Sequence, residues 1–597
     1  MTPLLDLQTF AAPDIGMERR DDGSYVLRSR RELTEWEPSV TAVLRKRAAE
    51  HPDRPLAAGR DADDRWVTLT YGEAARKADI LARAFRGLGL GPEQPVMILS
   101  GNSLEHLLVS LGAYAAGAPA MPISAAYSLM SSDHAQVRAI AELTEPGLVF
   151  AGDAEPFGPA LNALGDAAPR ILIARGERDG ALQLDDLLTS HSPLDGDPGP
   201  GADTVAKLLF TSGSTGVPKG VINTHRMLCS NQAMHAAIWP FLREEPPVLV
   251  DWLPWSHTFG GNHNLNMALF HGGTIYIDDG RPAPPLFPRT LAALRELPPT
   301  LYFNVPAGYA LLAPALEHDA ALAERFFSRL RYMFYAGAAL PPALADRLRE
   351  LAKTHADHEV PLTSSWGTTE TSPTATSMHY LGAPTGCIGV PVPGCTIKLA
   401  PVLGKFEIRV RGPNVTPGYY RAPDVTVARF DQEGFYRSGD AVRLIDERDP
   451  GQGLMFDGRI AENFKLLTGT WVTVGALRTR LLSAAGVLSD AVICGQDAEY
   501  VAAMGWVNQA EARDRSAAEL HEHLAQALAR MNGDAGSAGR IERLLLLDTP
   551  PSLDAGEITD KGYVNQRRCL ECRAADVARL YADAPGPEVI TPAAVPA

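Results

Sequence analysis

The chain has 597 residues, 45% of them hydrophobic and 21% charged, the balance of a globular protein with about four domain-sized units or fewer large ones. Its 71 acidic against 55 basic residues leave a net charge of −16, which excludes a general nucleic-acid binder because a polyanion requires a basic face. The 53 glycines and 47 prolines imply frequent turns, and six cysteines are too few for a disulfide scaffold, so the expectation is a cytoplasmic protein in a reducing compartment.

The opening MTPLLDLQTFAAPDIGMERRDD has no basic leader followed by a sustained apolar run, so secretion is not signalled. Tyr71–Leu88 carries apolar residues at helical spacing, the glycines at 87, 89 and 91 end it, and Pro95–Leu99 reads as a strand. The most membrane-like stretch, Leu107–Ile123, contains Gly112, Gly117, Pro119 and Pro122, which predicts a buried helix ending in a turn. The same alternation continues through Ala139–Val149 and Arg170–Ala174. Strands separated by helices predict an α/β fold with parallel sheets and a site at strand C-termini. Ser192–Asp203 reads as an exposed linker, and from about Gly386 short alternating segments such as Lys405–Val410 predict a small β-rich subdomain ending near Asp457. Cys569 and Cys572 form a C-x-x-C pair with no second pair nearby, which reads as two thiols on a helix. The Pro/Ala-rich tail from Pro585 to Ala597 is expected to be disordered.

Immediately after the apolar run Val205–Phe210 stands TSGSTGVPKG, Thr211–Gly220. Glycines let backbone N–H groups approach a phosphate closely, the hydroxyls of Ser212, Ser214 and Thr215 add donors, and Lys219 supplies a point charge. Pro218 stands where a Walker A loop needs glycine, so this is not one, and the phosphate reading is preferred to the alternative of an ordinary Gly/Ser turn between a strand and a helix. Only nine of the basic residues are lysines, and after Lys465 only Lys561 remains, within the polar turn GEITDKGYVNQR. A compact ammonium on a flexible stem can reach a ligand from such a turn.

TSGSTGVPKG resembles the signature loop of the adenylate-forming superfamily, which includes acyl- and aryl-CoA ligases, peptide-synthetase adenylation domains and luciferases. Further segments resemble its motifs in the family's order: YAGAAL (Tyr335–Leu340), SSWGTTE (Ser364–Glu370), YRSGD (Tyr436–Asp440) and Gly458-Arg459. The resemblance implies that ATP contacts Thr211, Ser212, Gly213, Ser214, Thr215, Gly216, Lys219, Gly337, Ala338, Ala339, Trp366, Gly367, Thr368, Thr369, Asp440, Arg459 and Lys561. It implies that Thr369 meets the α-phosphate, that Glu370 binds Mg²⁺, and that both oxygens of Asp440 take the ribose hydroxyls. WLPWSHTFG, Trp252–Gly260, resembles the segment beside the acid, with His257 at the substrate carboxylate. Phe259, Asn304, Tyr309 and Trp366, with Gly337, could line an aromatic slot, and each fits core packing equally well. In the family a lysine near the C-terminus bridges carboxylate and α-phosphate, which Lys561 matches by position. Rotation of the C-terminal domain near Arg459 then opens a thiol path, for which Lys465 and Gly469 are the candidates.

Two segments depart from the general pattern: Ala461 replaces a Lys or Asp after the hinge arginine, and DAGEITDK replaces P-x-x-x-x-G-K. These segments, with LSGNSLEH (Leu99–His106), resemble the feruloyl-CoA synthetase branch. The branch implies an AMP-forming ligase that converts ferulate and related hydroxycinnamates to CoA thioesters, with ATP, Mg²⁺ and CoA. Loading of another aryl or fatty acid onto CoA or a carrier protein is the alternative, and a luciferase-like oxygenase or an inactive nucleotide-binding module are more distant ones. The implied architecture is an N-terminal extension at 1–30, a large α/β domain at 31–458 with its β-rich part at 386–457, and a mobile α+β domain at 459–575. The implied partners are a small carboxylic acid, ATP and CoA, without nucleic acid or membrane, and a homodimer is compatible with the family.

Overall fold

A computed structural model describes residues 10–211, 218–283, 285–513, 515–533, 535–559, 562 and 564–593, without the side chains of Asp166 and Ala510. It is a mixed α/β protein that divides into two compact units: Met1–Ala400 with Arg409–Ser438 and Leu444–Met455, and Pro401–Ile408 with Gly439–Arg443 and Phe456–Ala597.

In the first unit, a seven-stranded sheet runs in the order Lys219–Thr224, Val205–Thr211, Ala120–Ile123, Val96–Leu99, Leu148–Ala151, Ile171–Ile173, Leu182–Gln183. All neighbours are parallel except the first two. The central strands are buried at every position, as expected of a parallel sheet covered on both faces. The helix Tyr71–Gly87 starts where it does because Thr70 and Glu73 form a reciprocal capping box. It buries Ala74, Ala78, Leu81 and Phe85 at helical spacing. The membrane-like stretch forms the helix Leu104–Ala116, buried from His106 onward, and then the strand Ala120–Ile123. Among the described residues no helix is long and apolar enough to cross a membrane. Each fully buried Leu or Val here contributes about 1.5–3 kcal/mol.

An eleven-stranded sheet contains the parallel trio Leu301–Asn304, Tyr332–Tyr335 and Leu362–Gly367, covered by a core that includes Leu312, Phe326, Phe327 and Leu348. Its other end holds the β-rich segments after Gly386. The residues set apart as an N-terminal extension supply its edge: a hairpin of Ile15–Arg19 and Tyr25–Ser29, whose second strand pairs with Thr396–Val402.

The second unit contains a four-stranded sheet in the order Leu488–Cys494, Val501–Val507, Ile541–Leu546, Val589–Ile590. Leu477 and Leu481 from the helix Val474–Ala485 and Leu524 and Leu528 from Ala517–Asn532 complete its core. The tail expectation needs correction here: Val589 and Ile590 pair with Leu545 and Leu544. Composition averaged over Pro and Ala hides a two-residue apolar step that covers the sheet edge. Cys569 and Cys572 sit on the helix Gln566–Cys572, one buried and one exposed, and neither is disulfide-bonded.

Candidate functional site

The ends of the parallel strands gather the candidate residues of the first unit. Thr211 and Lys219 face each other as antiparallel partners. Ser212, Gly213, Ser214, Thr215 and Gly216 lie outside the described residues. Burial and the nearby Arg429 hold the Lys219 ammonium below the usual lysine range, while Glu370 acts in the opposite direction.

The strand Leu362–Gly367 delivers Trp366, Gly367 and Thr368 to a single 3₁₀ turn, Thr369–Thr371. The Thr368 N–H donates to Thr371 Oγ1 at 2.8 Å. Thr369 and Glu370 are both buried. Gly367 is dictated by contact, since a Cβ there would stand 1.7 Å from the Pro373 carbonyl oxygen. Gly367→Ala is therefore expected to cost about 3 kcal/mol by overpacking, read as a lower melting temperature together with lost nucleotide affinity.

Glu370 is held from a distant part of the chain. Tyr419 Oη donates to its Oε1 at 2.8 Å, and the Thr416 N–H donates to its backbone carbonyl at 2.8 Å. Tyr419 is brought there by an isolated bridge to Val221, two residues beyond Lys219. Tyr419 was not among the residues the motifs indicate. It stands 49 residues from Glu370, and the only signal is the glycine-aromatic run Gly418-Tyr419-Tyr420.

Gly337, Ala338 and Ala339 are exposed just past the strand Tyr332–Tyr335, with Gly337 at φ 87°. Asn304 ends the neighbouring strand. Its Oδ1 accepts from Trp252 Nε1 at 3.2 Å and from the Val305 N–H at 2.8 Å, and its Nδ2 donates to Tyr302 Oη at 3.1 Å. His257 is half-buried and caps the π-helix Thr258–Leu265, its Nδ1 accepting from the Phe259 N–H at 3.4 Å. Phe259 packs against Phe334 and His263, both with ring centroids 5.7 Å away.

Tyr309 requires a correction. It is fully buried in the core, its hydroxyl lies 3.0 Å from the carbonyl oxygens of Tyr302 and Phe334, and it accepts from the Phe334 N–H. A hydroxyl committed to two strands serves packing rather than a slot.

In the second unit, Asp440 is buried and its Oδ1 lies 3.6 Å from Nε of Arg459, whose side chain is exposed. Lys465 pairs with Trp471 across a two-residue ladder, its ammonium 5.0 Å from the indole centroid, and Gly469 takes φ 81° in the connecting turn. Lys561 lies outside the described residues. The segment leading to it is anchored by a bidentate pair between half-buried Arg573 and buried Glu557, Nε and Nη2 to Oε1 and Oε2 at 2.7 and 2.9 Å. This anchor also escaped the motif reading.

Comparison with known proteins agrees with the motif order. A sulfoacetate–CoA ligase of Cupriavidus necator is 28% identical over 85% of this chain and 97% of its own length. A feruloyl-CoA synthase of an Amycolatopsis species is 29% identical over 63% of this chain and 72% of its own. The structure of the anthranilate CoA ligase AuaEII in complex with anthranoyl-AMP superimposes with a TM-score of 0.74, covering 92% of this chain and 99% of that one at 20% identity, a likeness of fold. The AMP-binding enzyme family matches residues 44–420 and its C-terminal domain matches residues 464–585, so the chain belongs to the AMP-binding enzyme family.

Proposed function

We propose that this chain is an ATP-dependent aryl-CoA ligase of the feruloyl-CoA synthetase type, working through an acyl-adenylate. The observation that carries the nucleotide chemistry is the hydrogen bond that Glu370 accepts from Tyr419, whose bridge partner Val221 lies two residues beyond Lys219. The aryl assignment is supported by the feruloyl-CoA synthase relative and by Phe259, whose N–H donates to His257 and whose ring packs on Phe303 and Phe334.

In the first step, a carboxylate oxygen of the acid attacks the α-phosphorus of ATP, the bond to pyrophosphate breaks, and a mixed anhydride forms. Lys219 offsets phosphate charge, and Thr369 donates to the α-phosphate. Glu370 is a buried hard-oxygen donor, and Mg²⁺ takes one or two carboxylates and fills its shell with water and phosphate oxygens. Among the described residues no group of three or more His, Cys, Asp or Glu could hold a metal ion. Bound there, Mg²⁺ would neutralise charge on the phosphates. Asp440 orients the ribose, and Lys561 holds carboxylate and phosphate together against their repulsion. In the second step, the CoA thiol sulfur attacks the acyl carbon and AMP leaves, after movement of the domain beyond Arg459, with Lys465 and Gly469 on the CoA side.

The likeness to a sulfoacetate–CoA ligase favours a second reading, a small polar acid processed by the same two steps. Both are tested by incubating the protein with ATP, Mg²⁺ and ferulate, p-coumarate, cinnamate, benzoate or sulfoacetate, with and without CoA. CoA-dependent ferulate turnover to AMP is the expected result. Preference for sulfoacetate would replace the aryl reading, and pyrophosphate release without acyl-CoA would point to a carrier-protein acceptor. Asp440→Ala is expected to raise KM for ATP roughly tenfold with kcat changed less, as for lost ground-state contacts, measured from initial rates.

A further inference from the structure

The strand that enters the phosphate loop carries a buried lysine that the mechanism above does not use. In VAKLLFT, Val205–Thr211, Leu208 and Phe210 pack into the apolar layer of the seven-stranded sheet, while Lys207 points to the opposite face. Only 3% of Lys207 is exposed, and among the described residues no carboxylate forms an ion pair with it. Burial alone pushes its amine down to about 7. Taking an ammonium out of water without a counter-charge is costly, and an apolar residue would fill the site without that cost.

What the ammonium does is visible in its bonds. Nζ donates to Asn262 Oδ1 at 3.1 Å. It also lies 3.2 Å from where a Cβ on Gly261 would stand, so it rests against the backbone of the π-helix that His257 caps. Asn262 Nδ2 donates onward to Asn223 Oδ1 at 2.9 Å and to Thr258 Oγ1 at 3.1 Å. Ser372 Oγ donates to the same Asn223 oxygen at 3.4 Å. Asn223 sits on the strand that begins at Lys219, and Ser372 follows the Glu370 turn. All four side chains are buried. Buried chains of this kind polarise one another and hold a single arrangement.

We propose that Lys207 is a positioning residue whose ammonium holds the chain Lys207–Asn262–Asn223–Ser372, coupling the helix beside the acid to the turn that bears Glu370. The inference rests on the adenylating function proposed above. The chain is the physical link by which an acid seated beside His257 and Phe259 improves binding of the nucleotide, and the reverse.

The test is acid-dependent ATP–pyrophosphate exchange over a grid of acid and ATP concentrations, with whichever of the five acids above gives the wild type its fastest exchange. In the wild type, saturating ATP is expected to lower the apparent KM for the acid. Lys207→Met is expected to reduce that coupling at least about fivefold. Asn223→Ala, which cuts the same chain further along, is expected to give the same loss, and the double variant no further loss. Ser372→Ala tests the far end should Lys207→Met not fold. A purely structural lysine would lower the melting temperature and leave the coupling unchanged. Wild-type coupling in folded variants, or additive losses in the double variant, would overturn this inference while leaving the proposed function standing. A wild type silent with all five acids would overturn the proposed function and this inference with it.

Discussion

Glu370→Gln is expected to lower acid-dependent pyrophosphate exchange by roughly 10²–10³-fold while leaving the fold intact. The substitution keeps shape and volume, so Tyr419 can still donate to the side-chain oxygen that it meets at 2.8 Å in the native protein. What disappears is the negative charge in a buried position beside Lys219. Two consequences follow from that charge. The anchor for a divalent cation is weakened, so higher Mg²⁺ should recover part of the rate. Lys219 also loses a neighbour that holds its proton, which moves its ammonium further below the usual lysine range. Tyr419→Phe removes only the orienting hydrogen bond and should cost about tenfold, within the range for one charge-assisted bond. Exchange rates across a Mg²⁺ series, with melting curves for both variants, separate these effects. An unchanged Mg²⁺ dependence in Glu370→Gln would remove Glu370 from the metal site.

Lys561→Ala is the second large effect: adenylation is expected to fall by about 10²–10³-fold, the scale of one well-placed electrostatic donor. Thioester formation from supplied acyl-adenylate should survive, because in the proposed mechanism the lysine's charge acts only while carboxylate and phosphate are brought together. The neighbouring residues support a fixed point of attachment. Ile558 and Val564, on either side of Lys561 in sequence, form an isolated antiparallel bridge, and Glu557 is locked to Arg573 through both carboxylate oxygens. Equal loss of both half-reactions would show that Lys561 serves the whole site and not the first step.

Much of this protein is written locally. The capping box at Thr70 and Glu73, the helical spacing from Ala74 to Phe85 and the glycine that ends Leu104–Ala116 act over a few residues, and a reader of the sequence meets them in order. The candidate phosphate motif Thr211–Gly220 can be picked out for the same reason, since it lies within ten consecutive residues. Tyr309 shows where that ends. An aromatic residue near other aromatics fits a slot or a core, and only its hydrogen bonds to Tyr302 and Phe334 decide for the core. The Val589–Ile590 strand was obscured because its partner lies more than forty residues earlier.

From the sequence alone came the α/β class and Lys219 as a candidate, because side-chain chemistry and short-range backbone preference need no partner to be read, while Glu370 and Asp440 came as candidates from the resemblance of their motifs to those of a family. The tertiary structure decided which side chains meet. Tyr419 reaches Glu370 across 49 residues, and Asn223 reaches Asn262 across 39. Such contacts depend on strand register and burial of the whole sheet, and no local pattern of residues encodes a hydrogen bond between segments that only folding brings together.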